Sequence, residues 1–317
     1  MDRKVEFKSR GETCKGVLHL PDGARGKVPL MVMAGGWCYT KEIVMPHYAK
    51  YFVESGIATL LFDYRRFGES AGEPRQHIDP WDQIEDYKNA VSYAQTVPEA
   101  DHDRIGIWGI SYSGGHVLIV GATDPRVKSV VSNVPVIDGY ETMWRMHGTV
   151  RFRMLKALIA EERLKRTESG THSYMPMSGT PAGPDDELSV WPDDDVRTVF
   201  EELQATQAPR HEHRNTIASA ERLLEYNAAP YVPRLLNVPT MMIVADGDDI
   251  TMWDQEIAAF DSIPSSRKEL VVLPATSHMT LYSNVTALDY AAAAAGSWFT
   301  RTLMELPTVD NQIRRFQ

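Results

Sequence analysis

One stretch in the first half of the chain, Arg104-Ile105-Gly106-Ile107-Trp108-Gly109-Ile110-Ser111-Tyr112-Ser113-Gly114-Gly115-His116-Val117, constrains the fold most. An apolar run enters a turn of small residues, and the turn leads directly into a helix start. Reversing a buried strand into a helix strains the backbone and leaves little room for neighbouring side chains. Gly109 before Ser111, and Gly114 and Gly115 after it, supply that room. Such a turn lifts the Ser111 hydroxyl above the sheet edge, at the positive end of the helix that follows. The pattern is G-x-S-x-G with Ser113 in the last place, and Ser113 with Gly115 gives a second, poorer frame. A glycine-rich strand-to-helix turn also serves non-catalytic proteins, so the reading depends on the rest of the chain.

The remainder alternates between strand and helix patterns. Residues 5 to 20 read as two edge strands joined by a turn around Arg10-Gly11. Val28 to Ala34 and Ile57 to Phe62 are continuous apolar runs, as expected of strands buried on both faces. Helical periodicity covers residues 42 to 55, and again 80 to 97, where Asp79 is a plausible N-cap and Pro80 opens the first turn. Val127 to Asn133 is the next strand. The rhythm then breaks. Residues 136 to 230 show no buried strand, only helical patches near 141 to 166, 194 to 205 and 217 to 226 around a Pro/Gly/Ser-rich connection at 170 to 192. It resumes with a strand at Thr240 to Ala245, a helix near 253 to 262, a strand at Glu269 to Leu273 and a last helix from Asn284 to Leu303. The prediction is an α/β fold: a mostly parallel sheet built from 1–135 and 231–317, helices on both faces, and a helical lid from 136 to 230 over its carboxyl edge.

A chain of 317 residues suits one large unit with an insertion. Its formal net charge of −10 argues against nucleic acid and anionic membrane surfaces as partners. No run reaches transmembrane length, and Met1-Asp2-Arg3-Lys4-Val5-Glu6 lacks the apolar core of a signal peptide. Cys14 and Cys38 have no metal-type spacing, so a reduced, cytoplasmic protein without cofactor is expected. A homodimer is compatible with this composition.

A serine hydroxyl is a poor nucleophile until a base takes its proton and a third group orients that base. In an open α/β sheet those groups come from loops at the strands' carboxyl ends. Thr240–Ala245 is followed by Asp246-Gly247-Asp248-Asp249, and Leu270–Leu273 by Pro274-Ala275-Thr276-Ser277-His278. Each residue has an ordinary structural use, the acids as turn formers or caps and the histidine as a loop residue. Their coincidence just past buried strands, in the order Ser, Asp, His, points to nucleophilic catalysis.

Asp63-Tyr64-Arg65-x-Phe67-Gly68-x-Ser70, Glu73-Pro74-Arg75, Ile78-Asp79-Pro80 and Gly106-x-Trp108-Gly109-x-Ser111-Tyr112 resemble dienelactone-hydrolase-like members of the α/β-hydrolase superfamily. That group includes fungal polyketide transferases. The resemblance extends over nearly the whole chain. It implies Ser111 as nucleophile, His278 as base and an aspartate after the 240–245 strand as orienter. Asp248-x-Ile250-Thr251 matches the family's acid best, and Asp249 is the runner-up. Tyr112 N–H is one expected oxyanion donor, and the resemblance implies Trp37 N–H as the other. Many relatives carry histidine where Gly35 stands.

Other groups read as structure. Asp101-His102-Asp103 reads as a turn before a strand, and Asp193-Asp194-Asp195 as a helix start. His211-Glu212-His213 reads as solvated surface rather than a metal site, and Arg65 and Arg66 as partners of nearby acids. The basic side of 145 to 166 reads as a solvated helix face rather than a site for an acidic carrier. Met143, Trp144, Met146 and Met154 are candidates for lining an acyl pocket, with packing inside the lid as the alternative. The expected partner is a small acyl substrate, an ester, lactone or thioester. Acyl transfer to another acceptor, carbon–carbon hydrolysis and a binding protein on the same scaffold are the rival readings.

Overall fold

The computed structural model describes residues 2–23, 26–179 and 187–304. The chain opens with the antiparallel pair β1 (Asp2–Ser9) and β2 (Glu12–His19), then β3 (Val28–Ala34), α1 (Met45–Glu54) and β4 (Ala58–Phe62). Next come α2 (Pro80–Ala94), β5 (Ala100–Ile110), α3 (Tyr112–Thr123) and β6 (Val127–Asn133). Between β6 and the next sheet strand lie α4 (Gly139–Ser169), β7 (Tyr174–Pro176), α5 (Asp194–Thr206), β8 (Arg214–Thr216), α6 (Ile217–Leu224) and a 3-10 turn at Ala229–Arg234. The chain returns through β9 (Thr240–Ala245), α7 (Trp253–Asp261), β10 (Lys268–Leu273), the short α8 (Thr280–Ser283) and α9 (Val285–Phe299). A π turn at Thr300–Met304 ends the last helix.

Eight strands form one sheet in the order β1-β2-β4-β3-β5-β6-β9-β10. From β4 to β10 every pairing is parallel, and β2 runs antiparallel to both its neighbours. This is the α/β-hydrolase fold. The apolar runs predicted as two-faced strands are buried throughout in β4 and from Pro29 to Ala34 in β3, and β9 is buried along its length, whereas β10, expected to be buried, is only partly so, with Val272 exposed. After β3 the chain builds β4 on one side and crosses to β5 on the other, so the sheet has its switch point beside β3. Loops at the carboxyl ends of β3 and β5 therefore face each other across a crevice. Helices α1 and α9 cover one face, where Phe52 and Phe299 meet edge-on at 5.3 Å. Helices α2 and α3 lie together on the other face, α2 also resting on β1. Asp79 caps α2 by accepting from Trp81 N and Asp82 N, with Pro80 at its first position.

Three local expectations change. Strand β2 is not an edge, since it pairs with both β1 and β4. Asp101, His102 and Asp103 lie inside β5, where its pairing slips: Val28 faces Ala100 while Leu30 faces Ile105. Asp101 there accepts from Asp103 N and Arg104 Nε, which accommodates the irregular turn of chain within the strand. Residues 136 to 230 also contain a small antiparallel pair, β7 with β8, too short to read from any periodicity.

Candidate active site

Ser111 stands between β5 and α3 with φ 58° and ψ −121°, a strained conformation for a residue bearing a Cβ. Its main chain is held on both sides: Ser111 N–H donates to Asn133 O at 2.9 Å, and Ser111 O accepts from Val136 N at 3.1 Å. Gly109 makes the turn feasible, because a Cβ there would sit 2.3 Å from Ser113 O. The alternative frame is closed. Ser113 is fully buried and its hydroxyl is spent on the main chain, accepting from Ile110 N and contacting Ala34 O, each at 2.8 Å.

His278 follows β10 and Asp248 follows β9, two strands paired in parallel register. His278 Nδ1 lies 2.7 Å from Asp248 Oδ2, with both side chains almost completely buried. The other carboxylate oxygen accepts from Ile250 N at 3.0 Å and Thr251 N at 2.8 Å, and Thr251 Oγ1 lies 2.9 Å from Oδ2. Burial alone would raise this carboxyl. The facing imidazole and the Thr251 N–H and hydroxyl more than offset it, so Asp248 titrates below the ordinary carboxylate range. Asp249 is exposed, as is Asp246. Of the three acids, only Asp248 meets the histidine.

Ser111 and His278 line the same cavity, together with Trp37, Tyr39, Met177, Trp191, Phe200 and Met279. Its volume is about 20 Å³, room for about one water. Tyr282, on α8, packs against His278. Its hydroxyl is 3.3 Å from His278 Nε2, its ring stacks on the imidazole at 5.4 Å, and it meets the Tyr39 ring edge-on at 5.8 Å. Among the described residues no hydrogen bond joins Ser111 directly to His278. Burial pushes the Tyr39 and Tyr282 phenols up, so both hold their protons at neutral pH.

The residues of the two expected oxyanion donors, Tyr112 and Trp37, lie beside Ser111. Tyr112 opens α3, so its N–H has no acceptor within the helix. The loop after β3 passes close by, with Gly36 against Ser111, and brings Trp37 to the cavity. The Trp37 ring is fixed: Nε1 donates to Asn215 Oδ1 at 3.0 Å, and its faces meet Tyr112 and Trp191 edge-on. Glycine at 35 has a local cause, since a Cβ would lie 2.3 Å from the Tyr39 ring. Tyr39 fills the space that a histidine at 35 would need.

The candidate pocket residues of the insertion are elsewhere. Met143, Trp144, Met146 and Met154 do not line this cavity: Met143 is core, while Trp144 and Met154 are exposed. Met177, Trp191, Val196 and Phe200 line it instead, brought there by tertiary packing that no periodicity announces. His211 is not solvated surface, as expected, but 1% exposed, with Nδ1 against Cys38 O at 3.0 Å. His213 Nε2 bonds the Ser178 hydroxyl. On α4 the basic residues interleave with acids: Arg145 pairs with Glu141 and Asp254, Lys165 with Glu161, and Arg166 with Glu162 and Glu221. Arg65 and Arg66 pair with Asp86 and Asp82, and Asp193 caps α5 through Val196 N.

Known proteins share this architecture. Thiohydrolase aneE of Aspergillus aculeatus is 30% identical over 275 residues, covering 84% of this chain and 83% of its own. Polyketide transferase ATR5 of Stachybotrys chlorohalonatus is 30% identical over 285 residues, covering 88% and 90%. Among solved structures, the α/β hydrolase GrgF of Penicillium sp. sh18 superposes with a TM-score of 0.79 at 23% identity, covering 96% of this chain and 99% of that one. Residues 14–280 match the model of the S15 family, described as X-Pro dipeptidyl-peptidase. The chain belongs to that S15 family and is an α/β-hydrolase-fold enzyme of the hydrolase type.

Proposed function

We propose that this enzyme is a serine hydrolase cleaving an ester, lactone or thioester of a moderately apolar acyl compound. The observation that carries the reading is the buried 2.7 Å Asp248–His278 contact beside a cavity that also holds Ser111. Asp248 accepts Nδ1–H, which leaves the Nε2 lone pair facing the cavity. Ser111 Oγ attacks the acyl carbon, its proton passes to Nε2 past the Tyr282 hydroxyl, and the developing oxyanion meets Tyr112 N–H and Trp37 N–H. The imidazolium protonates the leaving group, and a water deprotonated by His278 then releases the acyl group from Ser111. Aromatic and methionine side chains line the cavity and, among the described residues, no lysine or arginine does, which favours an uncharged acyl chain.

Four cavity residues, Met177, Trp191, Val196 and Phe200, come from the 136–230 insertion. With room for about one water, the site admits a substrate only when that segment moves, so the insertion acts as a lid. The same confinement supports a second reading, transfer of the acyl group to an alcohol or amine, as the names of the relatives suggest. Carbon–carbon hydrolysis uses the same groups. The enzyme would work on a small molecule in the cytoplasm, with Cys14 and Cys38 as thiols.

The test is labelling by a fluorophosphonate in wild type and Ser111→Ala, followed by an ester, lactone and thioester panel with and without acceptors. Labelling lost in Ser111→Ala, with acid released from an ester, supports the hydrolase. Product formed only with an acceptor replaces hydrolysis by transfer, and absence of labelling leaves a binding protein.

A further inference from the structure

Glu256, on α7, is 0% exposed, and no step above uses it. One of its carboxyl oxygens lies 2.9 Å from Thr251 Oγ1, and that same hydroxyl lies 2.9 Å from Asp248 Oδ2. The other oxygen, Oε2, is buried without a hydrogen-bond partner among the described residues. A threonine hydroxyl has one proton to give. It satisfies one carboxylate, and the second short contact then sets lone pair against lone pair unless the other carboxyl brings its own proton.

The surroundings decide which acid that is. Asp248 has His278 Nδ1–H and the backbone N–H groups of Ile250 and Thr251 besides the Thr251 hydroxyl, enough to hold a charge. Glu256 has Thr251 alone. An ionised Glu256 would leave one bare oxygen in a dry interior, close to a second anion. We propose that Glu256 is kept as a neutral carboxylic acid that donates its O–H to Thr251 Oγ1, committing the Thr251 hydroxyl to Asp248 and thereby positioning the Asp248–His278 pair. The chain of donors runs one way, Glu256 to Thr251 to Asp248, and His278 Nδ1 meets the same Asp248 oxygen, 3.3 Å from Thr251 Oγ1.

Burial and the facing Asp248 both push the Glu256 carboxyl well above the usual range, and Asp254 on the same helix adds to this. The charged or titratable groups around it are therefore Asp248, Asp254 and, beyond Asp248, His278. The proton on Glu256 has a consequence for the base. The anion behind His278 is Asp248. A second anion there would favour the imidazolium and keep the base occupied. Glu256 is thus a positioning residue that holds the charge behind the histidine at minus one.

The experiment compares wild type with Glu256→Gln and Glu256→Leu. Infrared difference spectra of wild type minus Glu256→Gln, between pH 7 and 8, should show a protonated carboxyl C=O band. That arm needs no substrate and stands whether or not the proposed catalytic reading, on which the kinetic arm rests, survives. In kcat/KM, Glu256→Leu should fall roughly 2- to 10-fold for the lost donor. Glu256→Gln, whose amide N–H can replace the acid proton, should restore most of it with the acid limb of the pH profile unmoved. Absence of the band overturns the proposal. So does full activity in Glu256→Leu, or an acid limb displaced to lower pH in Glu256→Gln, as removal of an anion would produce.

Discussion

Asp248→Asn separates charge and tautomer from shape, because the surrounding donors dictate how the new amide must sit. Ile250 N–H and Thr251 N–H both point at Oδ1, so the amide oxygen takes that position. The NH2 group then replaces Oδ2 and faces His278 Nδ1 at about the present 2.7 Å. Two N–H groups cannot share that contact, so the imidazole gives up Nδ1–H and carries its proton on Nε2 instead. Its lone pair is then turned away from the cavity, and Ser111 has no base. The same exchange in a serine-protease triad costs ~10⁴ in kcat, equivalent to about 5 kcal/mol of transition-state stabilisation. Steady-state hydrolysis of an activated aryl ester at pH 8 measures the effect, with circular dichroism confirming the fold. Asp249→Asn, at an exposed position, is the control and should stay near wild type. A fall of less than about tenfold in Asp248→Asn, or an equal fall in Asp249→Asn, would refute the assignment of the acid.

Tyr282→Phe removes the hydroxyl 3.3 Å from His278 Nε2 and should lower kcat/KM roughly 2- to 10-fold with the fold intact. A rise in rapid-quench acylation would instead mark the phenol as a block. Lys41→Met strands buried Asp63, whose oxygens take Lys41 Nζ at 2.8 Å and Lys41 N at 2.7 Å, and should cost about 3–5 kcal/mol in urea unfolding. Acid should unfold the protein in two windows. His116 and His77 are lowered to about 3, and His147 and His211 to about 4, mainly by burial, from 6.5. The unfolded chain therefore binds more protons, and stability present above pH 6.5 is lost as pH falls toward 4 and below. Near pH 5 unfolding should take up to about four protons, read from the slope of ΔG against pH, and a flat profile from 7 to 5 would contradict this. Asp248, whose carboxyl is depressed, adds its loss only below the ordinary carboxylate range.

Strands β3, β4 and β9 were legible because a strand buried on both faces is apolar at nearly every position, Thr59 and Thr240 being the buried exceptions in β4 and β9. The turn at Ser111 was legible because its glycines answer to local backbone geometry. Ser111, Asp248 and His278 could be placed at strand ends by type alone, but the choice between Asp248 and Asp249 rested on resemblance until burial separated them. The S15 family itself was not foreseen from the motifs, which pointed to the wider superfamily. Tyr39, Phe200 and Tyr282 meet near His278 from segments far apart in sequence, and no short-range pattern encodes such a meeting. Glu256 sits in a helix whose sequence gives an acid no reason to be inside. It is the neighbouring carboxylate, seen only in three dimensions, that gives its position a meaning.

The ties around Trp37 bear on how the enzyme could be re-engineered. Its indole is anchored to Asn215, the Cys38 thiol reaches Arg214 O, and His211 reaches Cys38 O, so the loop beside the nucleophile is moored to β8 and the chain just before it. Trimming the helical segment to widen the entrance would cut those moorings and let the amide at 37 drift from the reaction centre. Access and turnover are mechanically wired together here, and a broader substrate range is better sought at Met177, which borders the void, than at Phe200, whose ring packs against Tyr39 of that loop and against His211.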